Sequence, residues 1–228
     1  MPVTACVFDA YGTLFDVAGA ARQAAAEPGG AMLAQVWPRL AADWRDKQLA
    51  YTWLRAVAGA HADFWQVTAE ALDWALAAHG LEDPGLRDRL LALYRRLPAY
   101  AEAPAMLSAL RAQGLRLAIL SNGSPGMLAD AIASAGLDGL FEAVLSVEAV
   151  GVFKPHPSVY ALVEGRLGVA PAATLFVSAN GWDAACATGF GLPTVWLNRS
   201  GAPSERLPWT PAHELPDLAP LPDLVRSL

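Results

Sequence analysis

One stretch of sequence decides the fold of this chain: Val7-Phe8-Asp9-Ala10-Tyr11-Gly12-Thr13-Leu14-Phe15-Asp16. Residues 3–8 are mostly apolar or β-branched, which predicts a short buried strand that ends at Asp9. A Gly-Thr pair then turns the chain. A carboxylate at the carboxyl end of a buried strand lies where open α/β sheets bind their ligands. Because an isolated Asp more often only caps a turn, a catalytic reading of Asp9 needs support from the rest of the chain.

From residue 104 onward, the sequence alternates between helical and strand patterns. Helices are predicted to end at Gly114 and Gly136 and to cover 156–167 and 182–190. The strands predicted between them cover 115–120, 143–147, 174–177 and 194–197. This alternation is typical of a parallel, doubly wound α/β sheet, to which the strand before Asp9 also belongs. The tail from residue 200 is rich in proline and has no strong period.

The segment 17–98 has helical patterns and no strand signal. The first predicted helix ends at residue 26, and the chain breaks at 28–30. A second helical stretch covers 31–58 and is interrupted at Pro38. Two more helices are predicted, one from its cap Thr68 to residue 79 and one from its cap Asp83 to residue 97. The domain prediction is therefore a Rossmann-like core, 1–16 and 99–228, with an all-helical cap, 17–98, inserted directly after the Asp9 loop. Such a cap is suited to cover the strand ends and close a pocket.

Composition narrows the classes of partner. The 228 residues are 54% hydrophobic, yet no uninterrupted apolar run approaches the roughly 18 residues of a membrane span. A formal charge of −6 without charged blocks disfavours nucleic-acid binding. The first residues show no signal-like pattern, and Cys6 and Cys186 have neither disulfide-framework nor metal-ligand spacing. We therefore expect a cytoplasmic protein with reduced cysteines and no membrane or nucleic-acid partner.

The opening stretch resembles the first motif of the haloacid dehalogenase-like hydrolases, in which a nucleophilic Asp precedes x-x-Gly-Thr-Leu. Most members are phosphatases with a second Asp, the general acid, two residues after the first. This chain has Tyr11 there, and a phenol is a poor acid near neutral pH. The version Asp-x-Tyr-Gly-Thr-Leu-Phe-Asp is similar to the L-2-haloacid dehalogenase branch. The resemblance makes Asp9 the nucleophile, has Thr13 orient it, and assigns Ala10 and Tyr11 to substrate binding.

The motif Ser121-Asn122-Gly123-Ser124-Pro125 follows the second predicted strand. A turn of this kind offers hydroxyl, amide and backbone N–H groups to an anion, although an ordinary capped turn explains it equally well. The resemblance implies that Ser121 binds the substrate carboxylate and that Asn122 faces the leaving halide.

Lys154 lies between Phe153 and Pro155, just before the next predicted helix. A lone Lys is usually an exposed side chain. The resemblance instead makes Lys154 the cation that pairs with Asp9. It also makes Tyr160, in the following helix, a supporting hydrogen-bonding residue.

The segment Ser178-Ala179-Asn180-Gly181-Trp182-Asp183 follows another predicted strand, where phosphatases of the superfamily place acidic Mg²⁺ ligands. With Tyr11 in place of an Asp, few carboxylate oxygens remain for Mg²⁺, so neither a metal nor another cofactor is predicted. Asp183 also suits the cap of the next helix. The resemblance implies that Ser178, Asn180 and Asp183 position or activate the hydrolytic water and that Trp182 walls the halide pocket.

The predicted cap contains the stretch 44–55, which looks like a dehalogenase signature whose first Arg receives the departing halide. That residue is Arg45, with Leu49, Phe64 and Trp182 supplying the apolar side of the substrate pocket. Arg39, in the sequence Trp37-Pro38-Arg39, is a rival. We favour Arg45 because residues 47–54 continue the match.

Together these motifs imply hydrolysis of short L-2-haloalkanoic acids to D-2-hydroxyacids and halide through an Asp9 ester, with inversion at carbon 2. The alternatives are a Mg²⁺-dependent small-molecule phosphatase of the same superfamily and a catalytically silent binding module. The predicted partners are the small haloacid and the halide ion. Because family members are often homodimers, the resemblance also allows a homodimer, for which the sequence gives no independent interface signal.

Overall fold

The structure is a computed structural model that describes residues 2–28 and 30–228. The helix break predicted at 28–30 falls partly on Gly29, which lies outside the described residues. The architecture is built on one parallel sheet with the strand order β3-β2-β1-β4-β5-β6. Its strands are β1 Ala5–Phe8, β2 Arg116–Ser121, β3 Ala143–Ser146, β4 Thr174–Ser178, β5 Thr194–Leu197 and β6 His213–Leu215. The predicted doubly wound α/β class is confirmed.

Strand β1 lies at the centre of the sheet, where it pairs with β2 on one side and β4 on the other. Its four residues are all buried, which is why the sequence reads as an apolar run rather than an alternation. Phe8, its last residue, is level with Ile119 and Val177 on the neighbouring strands. The strand order reverses between β1 and β4, and open α/β sheets bind ligands at such a switch point. The residues that follow these strands are therefore brought to one edge.

The connections that lead from β1 to β5 contain helices, as predicted. They are α5 Ala103–Ala112, α6 Pro125–Ser134, α7 Pro157–Leu167 and α8 Gly181–Phe190. The tail departs from the prediction, because it contributes the edge strand β6 and a last helix, α9 Leu221–Arg226. Strand β6 has three residues and none of them is fully buried, so it leaves no hydrophobic pattern to read.

The segment between β1 and α5 is helical and contains α1 Gly19–Ala26, α2 Ala31–Ala58, α3 Phe64–Ala78 and α4 Pro84–Tyr94. Helix α2 packs against α1 and α3, and α1 packs against α4. An isolated bridge joins Phe15 to Ala99, so the chain leaves the sheet and returns to it at adjacent points. This arrangement accords with an insertion, while the exact division into 1–16, 17–98 and 99–228 stays a prediction.

Three predicted features of the helical segment were wrong. Helix α2 runs through Pro38 without interruption, because it is 28 residues long and held by packing on its neighbours. Helix α3 begins before Thr68, since Asp63 caps it by accepting the N–H groups of Trp65 and Gln66. The Thr68 hydroxyl instead donates back to the carbonyl oxygen of Phe64 at 2.6 Å. Helix α4 begins after its Asp83 cap as predicted but ends at Tyr94 rather than 97.

Two expectations from composition have structural counterparts. Cys6 is buried in β1 and Cys186 is half-buried in α8, and both are free thiols. Burial raises the pKa of the Cys6 thiol to about 12, which makes it an inert core residue. Within residues 2–28 and 30–228, no helix combines the length and apolarity that crossing a bilayer requires.

Candidate active site

A small cavity lies at the carboxyl edge of the sheet, between the strand ends and helices α2 and α3. Its volume is about 10 Å³, measured as the space open to the centre of a water molecule, so it has room for about one water. All ten lining residues are among those predicted from the sequence: Asp9, Tyr11, Arg45, Leu49, Phe64, Ser121, Asn122, Lys154, Asn180 and Trp182. The other predicted residues pack behind this lining and are described with their partners below.

Asp9 follows β1 directly, and its backbone N–H donates to the carbonyl oxygen of Val177 at 2.9 Å. Asp9 is only 6% exposed to solvent. Oδ2 accepts from the Thr13 hydroxyl and from Nδ2 of Asn180, both at 3.0 Å, while Oδ1 accepts from Nζ of Lys154 at 3.2 Å. Three donors thus fix the orientation of one carboxylate at the cavity wall.

Thr13 joins the loops that follow β1 and β4. Its hydroxyl donates to Asp9 and accepts the backbone N–H of Ala179 at 2.8 Å. Ala10 is buried directly after Asp9, and its carbonyl oxygen accepts the N–H groups of Thr13 and Leu14 in the turn. This turn therefore holds the nucleophile candidate by backbone and side-chain bonds together.

Lys154 is a buried cation between two carboxylates. It is 1% exposed, and Nζ donates to Oδ2 of Asp183 at 2.8 Å as well as to Asp9. Burial alone would lower the pKa of the Lys154 amino group, but the carboxylates of Asp183 and Asp9 outweigh burial and raise it. Lys154 therefore stays protonated and supplies a fixed positive charge.

Asp183 lies in the first turn of α8 and is fully buried. Oδ2 accepts from Lys154 and from the Ser178 hydroxyl at 3.0 Å, and Oδ1 accepts from the Tyr160 hydroxyl at 2.7 Å. Burial raises the pKa of the Asp183 carboxyl, against the opposing effect of Lys154. A carboxylate with a raised pKa is a better general base than an exposed one. Its bonds point to the site rather than to the cap of α8, for which Asn180 is the capping position.

Ser121, the last residue of β2, and Asn122, in the turn that follows it, line the cavity. The Ser121 hydroxyl oxygen accepts the N–H of Gly123 at 3.0 Å, and Oδ1 of Asn122 accepts the backbone N–H of Lys154 at 3.0 Å. Because both acceptors are used in this way, the hydroxyl and amide hydrogens are the groups left to bind an anion.

Arg45 reaches the cavity from α2. Nη2 donates to the carbonyl oxygen of Tyr11 at 3.1 Å and to Oδ1 of Asn180 at 3.3 Å. Arg39 lies six residues earlier on the same helix, which places it on a different face of α2. It is exposed and does not line the cavity. The geometry therefore favours Arg45 over Arg39 as the residue that meets a ligand.

The remaining wall is aromatic and aliphatic. Tyr11 stacks on Tyr94 with ring centroids 5.7 Å apart and contacts Phe64 at 5.8 Å. Burial raises the pKa of the Tyr11 phenol, so it is a neutral wall and not a proton donor of the phosphatase kind. Leu49 and Trp182 complete this side, and the Trp182 indole N–H is buried without a hydrogen-bond partner among the described residues.

Two groups that support the site were missed from the sequence. Gln48 accepts a hydrogen bond from Nη1 of Arg45 at 2.8 Å and donates to Thr68 and Tyr94. The spacing of three residues from Arg45 on one helix was a signal that could have found it. Arg199, directly after the last well-predicted strand, donates to the carbonyl oxygen of Thr13 at 3.2 Å and to Glu102. No local pattern marked it.

The donor set at the cavity bears on metal binding. Asp9 and Asp183 are the carboxylates of the site, and the ammonium of Lys154 already bridges them. Within the residues that the structure describes, no group of three or more His, Cys, Asp and Glu side chains is arranged to hold a metal ion. The prediction that the reaction needs no metal stays a prediction.

Comparisons with known proteins agree with one another. The family model for haloacid dehalogenase-like hydrolases matches residues 3–191. The chain is 43% identical over 228 residues to (S)-2-haloacid dehalogenase 1 of Pseudomonas sp. (strain CBS-3), covering 100% of this chain and 98% of that protein. It is 50% identical over 200 residues to the (S)-2-haloacid dehalogenase of Xanthobacter autotrophicus, covering 86% of this chain and 76% of the relative.

A solved structure adds a chemical observation. It is an L-2-haloacid dehalogenase from Xanthobacter autotrophicus with chloropropionic acid covalently bound. It superposes with a TM-score of 0.87 at 42% identity and covers 99% of each chain. In that protein, a haloacid forms a covalent bond to the enzyme.

Proposed function

The chain belongs to the haloacid dehalogenase-like hydrolases, and on that premise we propose that it hydrolyses short L-2-haloalkanoic acids to D-2-hydroxyacids and halide ions. The observation that carries this proposal is the buried Asp9 carboxylate, which lines the small cavity and is fixed by three donors. The relatives named above support the carbon–halogen bond as the target.

The polar and apolar walls suit the parts of a 2-haloacid. The Ser121 hydroxyl and the N–H groups of its turn bind the substrate carboxylate. Arg45 and Asn122 lie against the halogen, and the apolar side chain of the substrate packs against Leu49 and Phe64. This placement brings carbon 2 to Asp9.

In the first step, an Oδ atom of Asp9 attacks carbon 2 from the side opposite the halogen. A C–O bond forms while the C–X bond breaks, and the electron pair leaves with the halide, so the configuration inverts. A carboxylate is a weak nucleophile in water, and exclusion of water from the cavity removes its hydration. Arg45 stabilises the negative charge that develops on the halide.

In the second step, water attacks the carbonyl carbon of the Asp9 ester. Asp183, whose pKa burial raises, accepts the water proton, and Ser178 and Asn180 hold the water and the loop in place. The alcohol oxygen takes that proton back from Asp183 as it leaves as the product hydroxyl. Asp9 is regenerated as a carboxylate with one oxygen from water, and the second proton of the water is released to solvent. Lys154 keeps a positive charge beside both carboxylates through the cycle.

Several properties belong to the same proposal. The enzyme works without a metal or other cofactor, acts in the cytoplasm, and has no membrane or nucleic-acid partner, while the family resemblance also allows a homodimer. Tyr11, in place of the acid of the phosphatases, and the Lys154 ammonium between the carboxylates support the metal-independent reaction.

Two parallel assays test the function. Halide release from L-2-chloropropionate is measured beside phosphate release from p-nitrophenyl phosphate, each with EDTA and with added Mg²⁺. We expect halide release that survives EDTA and no appreciable phosphate release. Mg²⁺-dependent phosphate release without halide release identifies the phosphatase instead, and no release in either assay identifies a binding module.

A further inference from the structure

A second cavity adjoins the active-site cavity on the far side of Trp182. Its volume is about 530 Å³, which is in the range of ligand pockets, and it opens to solvent. Its lining is largely apolar and includes Trp53, Val57, Phe153, Trp182, Cys186 and Leu207. Trp182 lines both cavities, so one indole ring separates the two spaces.

The active-site cavity is too small for its ligand. A space of about 10 Å³ holds a water but not a haloacid, so a wall must move to admit the substrate. The polar walls are fixed: Asp9, Asn122 and Lys154 each form hydrogen bonds to other elements of the protein. Phe64 is buried in the core.

Trp182 differs from these walls. It is half-buried, its indole N–H has no partner among the described residues, and it also lines the outer cavity. The neighbouring ring on that side is Trp53, which meets it edge-on with centroids 5.3 Å apart. Displacing Trp182 therefore breaks no hydrogen bond and joins the two cavities.

We propose that this outer cavity is an alkyl-chain subsite. It binds the side chain of 2-haloalkanoic acids longer than propionate after the Trp182 side chain has moved aside. The proposal rests on the proposed function and extends its substrate class. Among the described residues that line the cavity, His156 and Cys186 are the only titratable ones, so the cavity suits a neutral hydrocarbon chain rather than a second anion. Displacement of Trp182 would connect this space with the reaction site, so that the alkyl chain could extend from carbon 2 into it.

Burial of hydrocarbon sets the expected effect. Each methylene transferred from water to an apolar site is worth about a fourfold gain in binding. A chain that extends three or four methylenes beyond propionate into the subsite thus gains on the order of a hundredfold, before any loss of chain entropy. A substitution at the rim of the outer cavity should therefore change the activity on long substrates and leave the activity on short substrates unchanged.

The test uses two matched variants of α2 in the full-length protein. Val57 lines the outer cavity and is 91% exposed, so Val57→Glu places a charge at the rim without disturbing the core. Leu54 is 64% exposed on the same helix but lies outside that lining, so Leu54→Glu is the control. For both variants and the unchanged protein, kcat/KM is measured for L-2-bromopropionate, L-2-bromohexanoate and L-2-bromooctanoate.

We expect Val57→Glu to keep the propionate value and to lose about tenfold or more on hexanoate and octanoate, while Leu54→Glu keeps all three. Competitive inhibition by unhalogenated octanoate should weaken in Val57→Glu by a similar factor, which tests binding without chemistry. Equal effects of Val57→Glu on all chain lengths, or equal effects of the two variants, would overturn the subsite.

Size-exclusion chromatography tests whether a second copy of the chain, rather than an alkyl chain, occupies the outer cavity. If Val57→Glu and Leu54→Glu both dissociate a dimer and the chain-length profile stays flat, the face is an interface and the subsite is refuted. Absence of halide release from L-2-bromopropionate in the unchanged protein overturns the proposed function itself. Intact propionate turnover with no chain-length effect overturns only the subsite, so the two failures are distinguishable.

Discussion

Arg45 and Gln48 form a charge-assisted hydrogen bond, with Nη1 of the guanidinium donating to Oε1 of the amide at 2.8 Å. Gln48 is 1% exposed, and its Nε2 donates to the Thr68 hydroxyl at 2.7 Å and the Tyr94 hydroxyl at 3.1 Å. Arg45 is therefore held in place by α3 and α4 as well as by its own helix. Preorganised donors of this kind stabilise a developing anion without having to reorient during the reaction.

This relationship predicts that Gln48→Leu slows halide release. Loss of a hydrogen bond to a charged group is worth about 1.5–3 kcal/mol, so kcat/KM should fall about 10- to 100-fold. The loss should be larger for chloride than for bromide, which is the better leaving group. Steady-state kinetics on L-2-chloropropionate and L-2-bromopropionate measure both effects.

The control is Gln66→Leu, which removes an exposed amide of α3 that donates to Glu70 at the surface, away from the cavity. A double variant with Arg45→Ala should add little to the loss from Arg45→Ala alone, because Gln48 acts through Arg45. Fully additive losses would show that Gln48 serves stability and not the site.

Arg45→Ala should cost far more activity than Arg39→Ala. Removing a charge-assisted donor to a developing anion typically lowers kcat by about 10²–10³-fold. Arg39 is exposed outside the cavity, and its removal should leave turnover nearly unchanged. Halide release by the two purified variants decides the matter, and an inactive Arg39→Ala beside a nearly normal Arg45→Ala would reverse the assignment.

The acid limb of the pH–rate profile should shift in Tyr160→Phe. Burial raises the pKa of Asp183, and catalysis needs its ionised form, so activity falls as the pH drops through that raised pKa. The Tyr160 hydroxyl donates to Oδ1 of Asp183 at 2.7 Å, which favours the ionised form. Removing this donor raises the pKa further and moves the acid limb to higher pH.

The measurement is kcat against pH at saturating L-2-chloropropionate. Tyr51→Phe, at a partly buried tyrosine of α2 away from the cavity lining, is the matched control and should keep the profile. A limb that stays in place or moves to lower pH in Tyr160→Phe would exclude Asp183 as the base that limits the rate.

Oxygen tracing tests the covalent step. In a single turnover in ¹⁸O-water with enzyme in excess, the new hydroxyl of the product comes from Asp9 and should be unlabelled. The peptide that contains Asp9 should gain the heavy oxygen, as mass spectrometry can measure. Label in the product hydroxyl on the first turnover, with none at Asp9, would make Asp9 a general base.

Asp9→Asn should be inactive while folded, provided that deamidation is excluded.

The sequence predicted the elements whose signals are local. Asp9, Ser121 and Asn180 each follow an apolar strand, and the parallel order of β1, β2 and β4 makes those strand ends converge. The spacing from Arg45 could mark Gln48, but its bonds to Thr68 and Tyr94, which lie 20 and 46 residues away on other helices, could not be read from the sequence. The same limit applies to the outer cavity, which forms where α2, α8, the loop before α7 and the tail come together.

Secondary-structure errors had physical causes of the same kind. Pro38 breaks a helix in isolation, but the packing of α2 on α1 and α3 keeps the helix continuous. Strand β6 is formed by pairing with β5 rather than by its own composition. In both cases tertiary contacts overrode the local preference.

The central position of β1 has a consequence for the synthesis and folding of the protein. Asp9 and its partner Asn180 are 171 residues apart, so at ordinary rates of synthesis roughly 10–30 s separate their appearance on the ribosome. During that interval the edge of the apolar β1 that later pairs with β4 is open, and an unpaired apolar strand edge invites pairing with other chains. The nascent polypeptide is therefore inactive and prone to aggregation until β4 has emerged, and truncated translation products share both properties.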